Sequence, residues 1–273
     1  MENAFKKENF EILISTMNRS SLDFLIPMFP FKHFSNFNIL IVNQSKESIL
    51  TSGFPSVRVI NSTEFGLSKS RNLAINNAKG KICLIADDDV VYREGFENEI
   101  LIAFEKLRNS AIITFNHQRF GEEFPRRKIR TEFQHDYKSI REVCSIEIAF
   151  NLSEIKKNQV YFDENFGLGS YFETAEELLF LREALHRKLK IYYNPSVIVS
   201  HSLHSSGEME ITDELIYARS ALFCKIHGVF VHLKLLKYLF SLFRKKQLKL
   251  KEIGQKWRIG LEGIKKYNEL TKS

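Results

Sequence analysis

The first 90 residues alternate between short apolar runs and stretches with helical signals, and this alternation restricts the fold more than any other feature. Phe10–Thr16 (FEILIST) reads as a first strand, Phe37–Val42 (FNILIV) as a second, Val57–Ile60 as a short third and Lys81–Ala86 (KICLIA) as a fourth. Leu22–Phe31 carries a short helix, interrupted at Pro27 and ended by Pro30. Ser68 is read as the N-cap of a helix over Lys69–Asn77, with Leu73, Ala74 and Ala78 on its buried face and Gly80 as its stop. Strands joined by such crossovers form a mostly parallel sheet, and ligands of these sheets bind beyond the C-terminal strand ends. Three polar clusters stand at that edge: Asn18-Arg19, Asn43-Gln44 and Asp87-Asp88-Asp89.

The aspartates carry the chemistry. Alternation along a strand points Asp87 and Asp89 one way and Asp88 the other. Carboxylates this close repel unless a cation, a donor group or water compensates them. A divalent metal carrying phosphate oxygens is the natural compensator; a solvated acidic turn is the plain alternative. No GxGxxG follows the first strand and no GxxxxGK[ST] occurs, so phosphate handling falls to metal, Lys and Arg. Lys69 and Arg71 stand near a helix start, where they meet either a diphosphate or only solvent.

Further along, Phe96–Leu107 reads as a helix, Ala111–Phe115 as a strand and residues 119–142 as a long, mobile surface excursion near the site. Cys144–Phe150 rejoins the sheet, Thr174–Arg187 is helical, and Ile191–Tyr193 and Val197–Val199 flank Asn194-Pro195. Glu173, Glu176 and Glu177 form a second acidic cluster, with Glu173 and Glu177 on one helix face. Acids favour a first helical turn in any case, but one of them can instead serve as a general base. His201 and His204 follow the last strand at a spacing that allows one metal.

Charge is unevenly placed. Residues 211–273 hold 14 Lys or Arg against 5 Asp or Glu, whereas residues 1–210 hold 26 against 28. A body without net positive charge excludes a general nucleic-acid binder. Cys83, Cys144 and Cys224 share no short spacing, which fits a reducing cytoplasm and no zinc site. Met1–Lys7 reads as no export signal, and no run reaches the roughly 18 uninterrupted apolar residues of a spanning helix.

Taken in order, these pieces resemble the GT-A-fold glycosyltransferases of the large inverting family 2. The matching blocks are Ser15-Thr16-Met17-Asn18-Arg19, Asn43-Gln44-Ser45, Gly66–Ile75 (GLSKSRNLAI), Ala78-Lys79-Gly80 and Ile85–Asp89 (IADDD). Phe162–Gly169 (FDENFGLG), Glu176-Glu177-Leu178, Asn194-Pro195 and Val199-Ser200-His201 follow, so the likeness covers roughly residues 8–205. It implies an α/β fold, a GT-A-type Rossmann-like, mostly parallel sheet flanked by helices, with a helical C-terminal extension. It places Thr16, Asn18 and Arg19 near a nucleotide base, with Asn43 where the family often has Asp. Asp87 and Asp88 would serve the donor, Asp87 facing the ribose or a metal-bound water. Asp89, with Asp87 and His201, would hold Mn²⁺ or Mg²⁺. Glu177 stands at the second place of the family's Glu-Asp pair, usually the catalytic base, and Glu176 at the first; Glu is longer than the usual Asp. The Gly167-Leu168-Gly169 turn would line the acceptor pocket.

The expected domains are 1–210, nucleotide-sugar-binding and catalytic, and 211–273, a basic amphipathic helical extension. Within Ala218–Lys272, the stretch 218–250 suits an anionic membrane surface, a cap packed on the domain or a homodimer contact. The resulting expectation is a metal-dependent inverting (hexosyl) glycosyltransferase, using a nucleotide-sugar, UDP-linked for preference. Its acceptor would be a hydroxyl of a surface-polysaccharide or lipid-linked oligosaccharide, met at the cytoplasmic face of the plasma membrane. The rivals are a nucleotidyltransferase and a noncatalytic nucleotide- or glycan-binding scaffold.

Overall fold

The computed structural model describes residues 7–201 and 211–272. Four parallel strands open the sheet: β1 (Phe10–Met17), β2 (Ile39–Gln44), β3 (Val57–Ser62) and β4 (Ile82–Asp87). Strict alternation gives each inner strand two buried faces. Phe10, Ile12, Ile14, Ile39, Ile41, Ile82 and Leu84 join one core; Leu13, Leu40, Val42, Cys83 and Ile85 join the other. The first core absorbs many of the 24 phenylalanines. Phe29 stacks on Phe37 at 4.8 Å and on Tyr92 at 5.2 Å, and Tyr92 stacks on Phe96 at 4.3 Å.

Helix α1 (Leu25–Met28) is a single turn within the expected Leu22–Phe31 and holds Pro27 inside it, since a proline is tolerated in a first helical turn where its missing N–H has no partner to lose. The helices α2 (Leu67–Asn77) and α3 (Phe96–Lys106) come close to their expected spans. Ser68 is not the N-cap of α2, however. That position belongs to Gly66, whose φ of 123° suits a residue without a Cβ, and Ser68 lies buried inside the first turn. Gly80 stands past the helix end, pressed on β1: a Cβ there would lie 2.6 Å from the Cβ of Glu11.

The rest of the sheet is mixed. With β5 (Val91–Tyr92), β6 (Ile112–Arg119), β7 (Phe133–Gln134), β8 (Ile148–Asn151) and β9 (Ile191–His201), the order is β3-β2-β1-β4-β8-β6-β9-β5, and β7 pairs with β9. β8 runs antiparallel to both β4 and β6, while β6 and β9 are parallel. The two runs around Asn194-Pro195 are one strand, because a register shift against β6 absorbs the irregular residues.

Residues 119–142, expected as a mobile excursion, are fastened to the sheet. Arg126 N–H donates to the His117 carbonyl at 2.9 Å, and His135 N–H donates to the Ile191 carbonyl at 2.8 Å. Arg127, His135 and Ile140 are buried.

The chain divides into two compact units, Met1–Asp163 with Glu176–His204, and Glu164–Ala175 with Ser205–Ser273. The expected boundary at 210/211 lies at the edge of residues outside the description, and His204 lies among them. In the first unit, α4 (Leu152–Lys157) and α5 (Glu176–His186) complete the helices. In the second, α6 (Asp213–His227), α7 (Val231–Arg244) and α8 (Ile253–Thr271) share a core of Ile216, Val231, Leu235, Leu239, Leu242 and Ile264. Gly260 and Gly263 allow the close approach of α8: a Cβ at Gly263 would lie 2.2 Å from the Tyr217 carbonyl oxygen. Asp213–Arg244 is long and apolar enough by composition to cross a bilayer. In this structure it is broken at Gly228–Phe230 into two helices, each burying a face.

Candidate active site

The end of β4 distributes its three aspartates among three partners. The strand stops at Asp87 and the chain turns through Asp88 and Asp89, so two-residue alternation no longer governs them. Asp88 accepts hydrogen bonds from Thr16 Oγ1 and from Arg19 Nε (3.0 Å) and Nη2 (2.7 Å). Asn43, fully buried, holds the Arg19 backbone reciprocally, accepting from its N–H and donating to its carbonyl, both at 3.0 Å. This clamp orders the loop after β1, where exposed Asn18 takes a left-handed φ of 55° that asparagine tolerates.

Asp87 faces Arg71. The Arg71 side chain is 3% exposed and spans two elements, donating from Nη2 to Asp87 Oδ1 and from Nη1 to Glu176 Oε1, each at 3.0 Å. Its Cζ lies 5.4 Å from the Phe162 ring centre, and its Nε has no hydrogen-bond partner among the described residues. Burial alone would lower the Arg71 pKa, but Asp87, Glu176 and Glu177 together raise it above its ordinary value. Ser145 Oγ donates to the other Asp87 oxygen at 3.4 Å.

Glu177, beside this bridge at the start of α5, has its carboxyl withdrawn from water and set against Glu176. Burial first, and the Glu176 charge second, push it up to about 8 despite Arg71. Glu173 does not share its helix face, because α5 begins only at Glu176; it accepts the Gly169 N–H at 3.0 Å within the second unit. The Gly167-Leu168-Gly169 turn belongs to that unit as well, with φ of 101° at Gly167 and 75° at Gly169.

Asp89, more than half exposed, meets His201 with Oδ1 3.2 Å from Nε2. The His201 hydrogen bond holds the Asp89 carboxyl below its ordinary range. A carboxylate oxygen and an imidazole nitrogen this close, open to solvent on the carboxylate side, are atoms from which a divalent-metal site would be built once the hydrogen bond between them is given up. A second group of possible ligands, His117, Cys144 and Glu147, does not suit a metal. Glu147 already accepts from His117 Nδ1 (2.7 Å), Arg127 Nη2 (2.8 Å) and the Cys144 N–H (2.9 Å). Burial pushes the Cys144 thiol up to about 12, away from the thiolate a metal requires.

The structure therefore gathers Thr16, Arg19, Asn43 and Asp88 in one network, Arg71, Asp87, Glu176 and Glu177 in another, and Asp89 with His201. Lys69 is not brought in. Its ammonium pairs with Glu64 at 3.1 Å on the surface, since its place on α2 points it away from buried Arg71 two residues on. Nor does Arg71 extend toward solvent as a free phosphate ligand, because two carboxylates hold it. Sequence reasoning missed Ser145 and Asn72. Asn72 pins Phe162 by a reciprocal backbone pair of 2.8 and 2.9 Å, and its place beside Arg71 in the Arg-Asn block was the available signal.

A parallel strand ending in acids, with a carboxylate pair at the start of a later helix, is the arrangement expected of a sugar transferase of the GT-A type. The glycosyl transferase family 2 model matches residues 11–172, and the chain belongs to that family. It is a glycosyltransferase, which sets aside the nucleotidyltransferase rival. Among solved structures, S. aureus TarS 1-349 in complex with UDP-GlcNAc is similar at a TM-score of 0.58 and 16% identity, over 92% of this chain and 79% of that one. The same TarS segment in complex with UDP is similar at 0.56 and 17%, over 90% and 77%. A longer TarS structure is similar at 0.55 and 17%, over 89% of this chain and 46% of that one. These likenesses establish a shared fold. None of the curated proteins compared with the chain matches it.

Proposed function

We propose that this glycosyltransferase moves a hexose-type sugar from a UDP-linked donor to a glycan hydroxyl, with inversion at the anomeric carbon. The observation that carries the reading is the Arg71 bridge. It joins the tip of β4, where donor and metal ligands stand, to the helix start that bears Glu177. The loop held by Asn43, with Thr16, Arg19 and Asp88, is the place for the nucleotide, and the TarS complexes with UDP and UDP-GlcNAc support a uridine donor.

Asp89 and His201 would hold the metal, with Asp87 nearby on the strand end. Bound there, Mn²⁺ or Mg²⁺ supplies positive charge to the leaving diphosphate. Glu177 takes the proton of the acceptor hydroxyl; that oxygen bonds to the anomeric carbon as the bond to the diphosphate breaks, on the opposite face. A carboxyl poised near 8 has a conjugate base strong enough to accept the proton, and the ionised fraction that does so grows as pH rises toward that value. The acceptor proposed is a surface-polysaccharide or lipid-linked glycan.

Calorimetric titration of UDP into wild type and Asp89→Ala, with and without Mn²⁺, tests the donor and metal assignment. Metal-dependent binding that is lost in Asp89→Ala is expected. Equal binding by both proteins, or none with Mn²⁺ present, overturns it.

A further inference from the structure

α7 carries two apolar rows, and only one of them is used. Val231, Leu235, Leu239 and Leu242 pack into the core of the second unit. Leu233, Leu236, Phe240 and Phe243 recur at helical spacing on another side and are 50%, 53%, 57% and 37% exposed. The turn before the helix adds Val229 and Phe230, 89% and 68% exposed. Scattered single apolar residues on a surface need no explanation, but a continuous row bordered by polar groups marks a contact.

The charge along this border is all of one sign. From Gly228 to Lys251 the chain has seven cations, Lys234, Lys237, Arg244, Lys245, Lys246, Lys249 and Lys251, and no acid. Lys234, Lys237 and Arg244 follow the open row on its other flank by helical spacing. Cations near a helix C-terminus complement its dipole, which accounts for Arg244 and Lys245 but not for Lys234, Lys237, Lys249 or Lys251.

We infer that this face of α7 lies in the interface of an anionic lipid bilayer. The open apolar row enters the headgroup–acyl boundary, while the lysines and arginines reach the lipid phosphates along their flexible stems. A second copy of the chain is the weaker occupant. A two-fold contact would set this patch against itself, bringing the cations of each copy together with no acid in the segment to answer them. A soluble polyanion would answer the charge and leave the phenylalanines in water. The inference stands apart from the transfer chemistry, since it concerns adsorption of the folded chain and not turnover.

The test is flotation of the full chain with vesicles of phosphatidylcholine alone, and of equal parts phosphatidylcholine and phosphatidylglycerol. Binding to the mixed vesicles only is expected, weakening with salt. Phe240→Ser and Lys237→Glu should each lower partition by about tenfold. Both side chains are exposed, so an unchanged circular dichroism spectrum and unchanged Mn²⁺-dependent UDP binding would show that the fold persists. Binding equal on both vesicle types, or unaffected by either substitution, overturns the inference. So does a lack of binding, whether the protein stays monomeric or forms a dimer that Phe240→Ser dissolves. Retention on vesicles through high salt and alkaline carbonate would instead assign Asp213–Arg244 to a bilayer span and equally overturn it.

Discussion

At the scale of single residues, Glu177 and Arg71 are adjusted to one another. Below about 8 the Glu177 carboxyl is protonated and cannot receive the acceptor proton, so kcat/KM should rise with pH through that value. Glu176 contributes to the upward shift by its charge, and Glu176→Gln should move the rising limb to lower pH. Glu177→Gln should cut kcat by about 10²–10⁴-fold and leave UDP binding intact. Initial rates against pH for the three proteins check both statements, and normal transfer by Glu177→Gln would refute the base assignment. The acid types and their order were legible in the sequence, but their partners were not. Asp87-Asp88-Asp89 announces negative charge, yet nothing local tells that Arg71, sixteen residues earlier, spends both guanidinium ends on carboxylates. Arg71 and Lys69 look alike as charges near a helix start; the turn of the helix separates one into the interior and the other onto the surface.

At the scale of elements, the parallel half of the sheet could be read directly, because β1, β2 and β4 are buried on both faces and leave near-continuous apolar runs. The return of Cys144–Phe150 to the sheet could be read too, but not the antiparallel insertion of β8 between β4 and β6, nor the fastening of the excursion before it. Glu147 closes the excursion by holding Arg127 and His117, partners 20 and 30 residues away. In sequence those residues are one more acid among many bases. Burial works to raise the Glu147 pKa, but the His117 hydrogen bond and the Arg127 charge hold it below the ordinary value. Glu147→Gln leaves a buried guanidinium without its counter-charge and should cost about 3–5 kcal/mol. Glu64→Gln, which breaks only the exposed pair with Lys69, should cost about 0–1 kcal/mol. Urea denaturation of the two variants, run together, measures the contrast.

At the scale of the whole molecule, buried His135 and partly buried Glu177 set opposite slopes of stability with pH. His135 is held down to about 4 by burial and the Arg127 charge, so the unfolded chain takes up its proton first as pH falls below 6.5. Its contribution is present above pH 6.5 and is lost toward pH 4. Glu177 acts in reverse: the unfolded chain ionises first, and stability falls as pH rises from 4.5 through about 8. Maximum stability is therefore expected where the two limbs overlap and offset each other, from about pH 4.5 to 6.5. His135→Asn should flatten the acid limb, by on the order of 3 kcal/mol at most. Glu177→Gln should raise the melting temperature above pH 8 even as it removes activity, the exchange common where a site is built at the expense of stability. Thermal unfolding scanned across pH decides both.

The insertion of β8 between β4 and β6 also bears on how the chain comes into being. β4 ends at Asp87 and β8 begins at Ile148, so the edge that β8 must cover waits for about 60 further residues to leave the ribosome, on the order of 3–12 s. Through that interval the early strands have a bare hydrogen-bonding rim beside a half-built core. Such a rim invites pairing with any extended neighbour. The short strand Ile148-Ala149-Phe150-Asn151 thus acts as a latch, and its arrival separates a nascent chain open to aggregation from one that is closed.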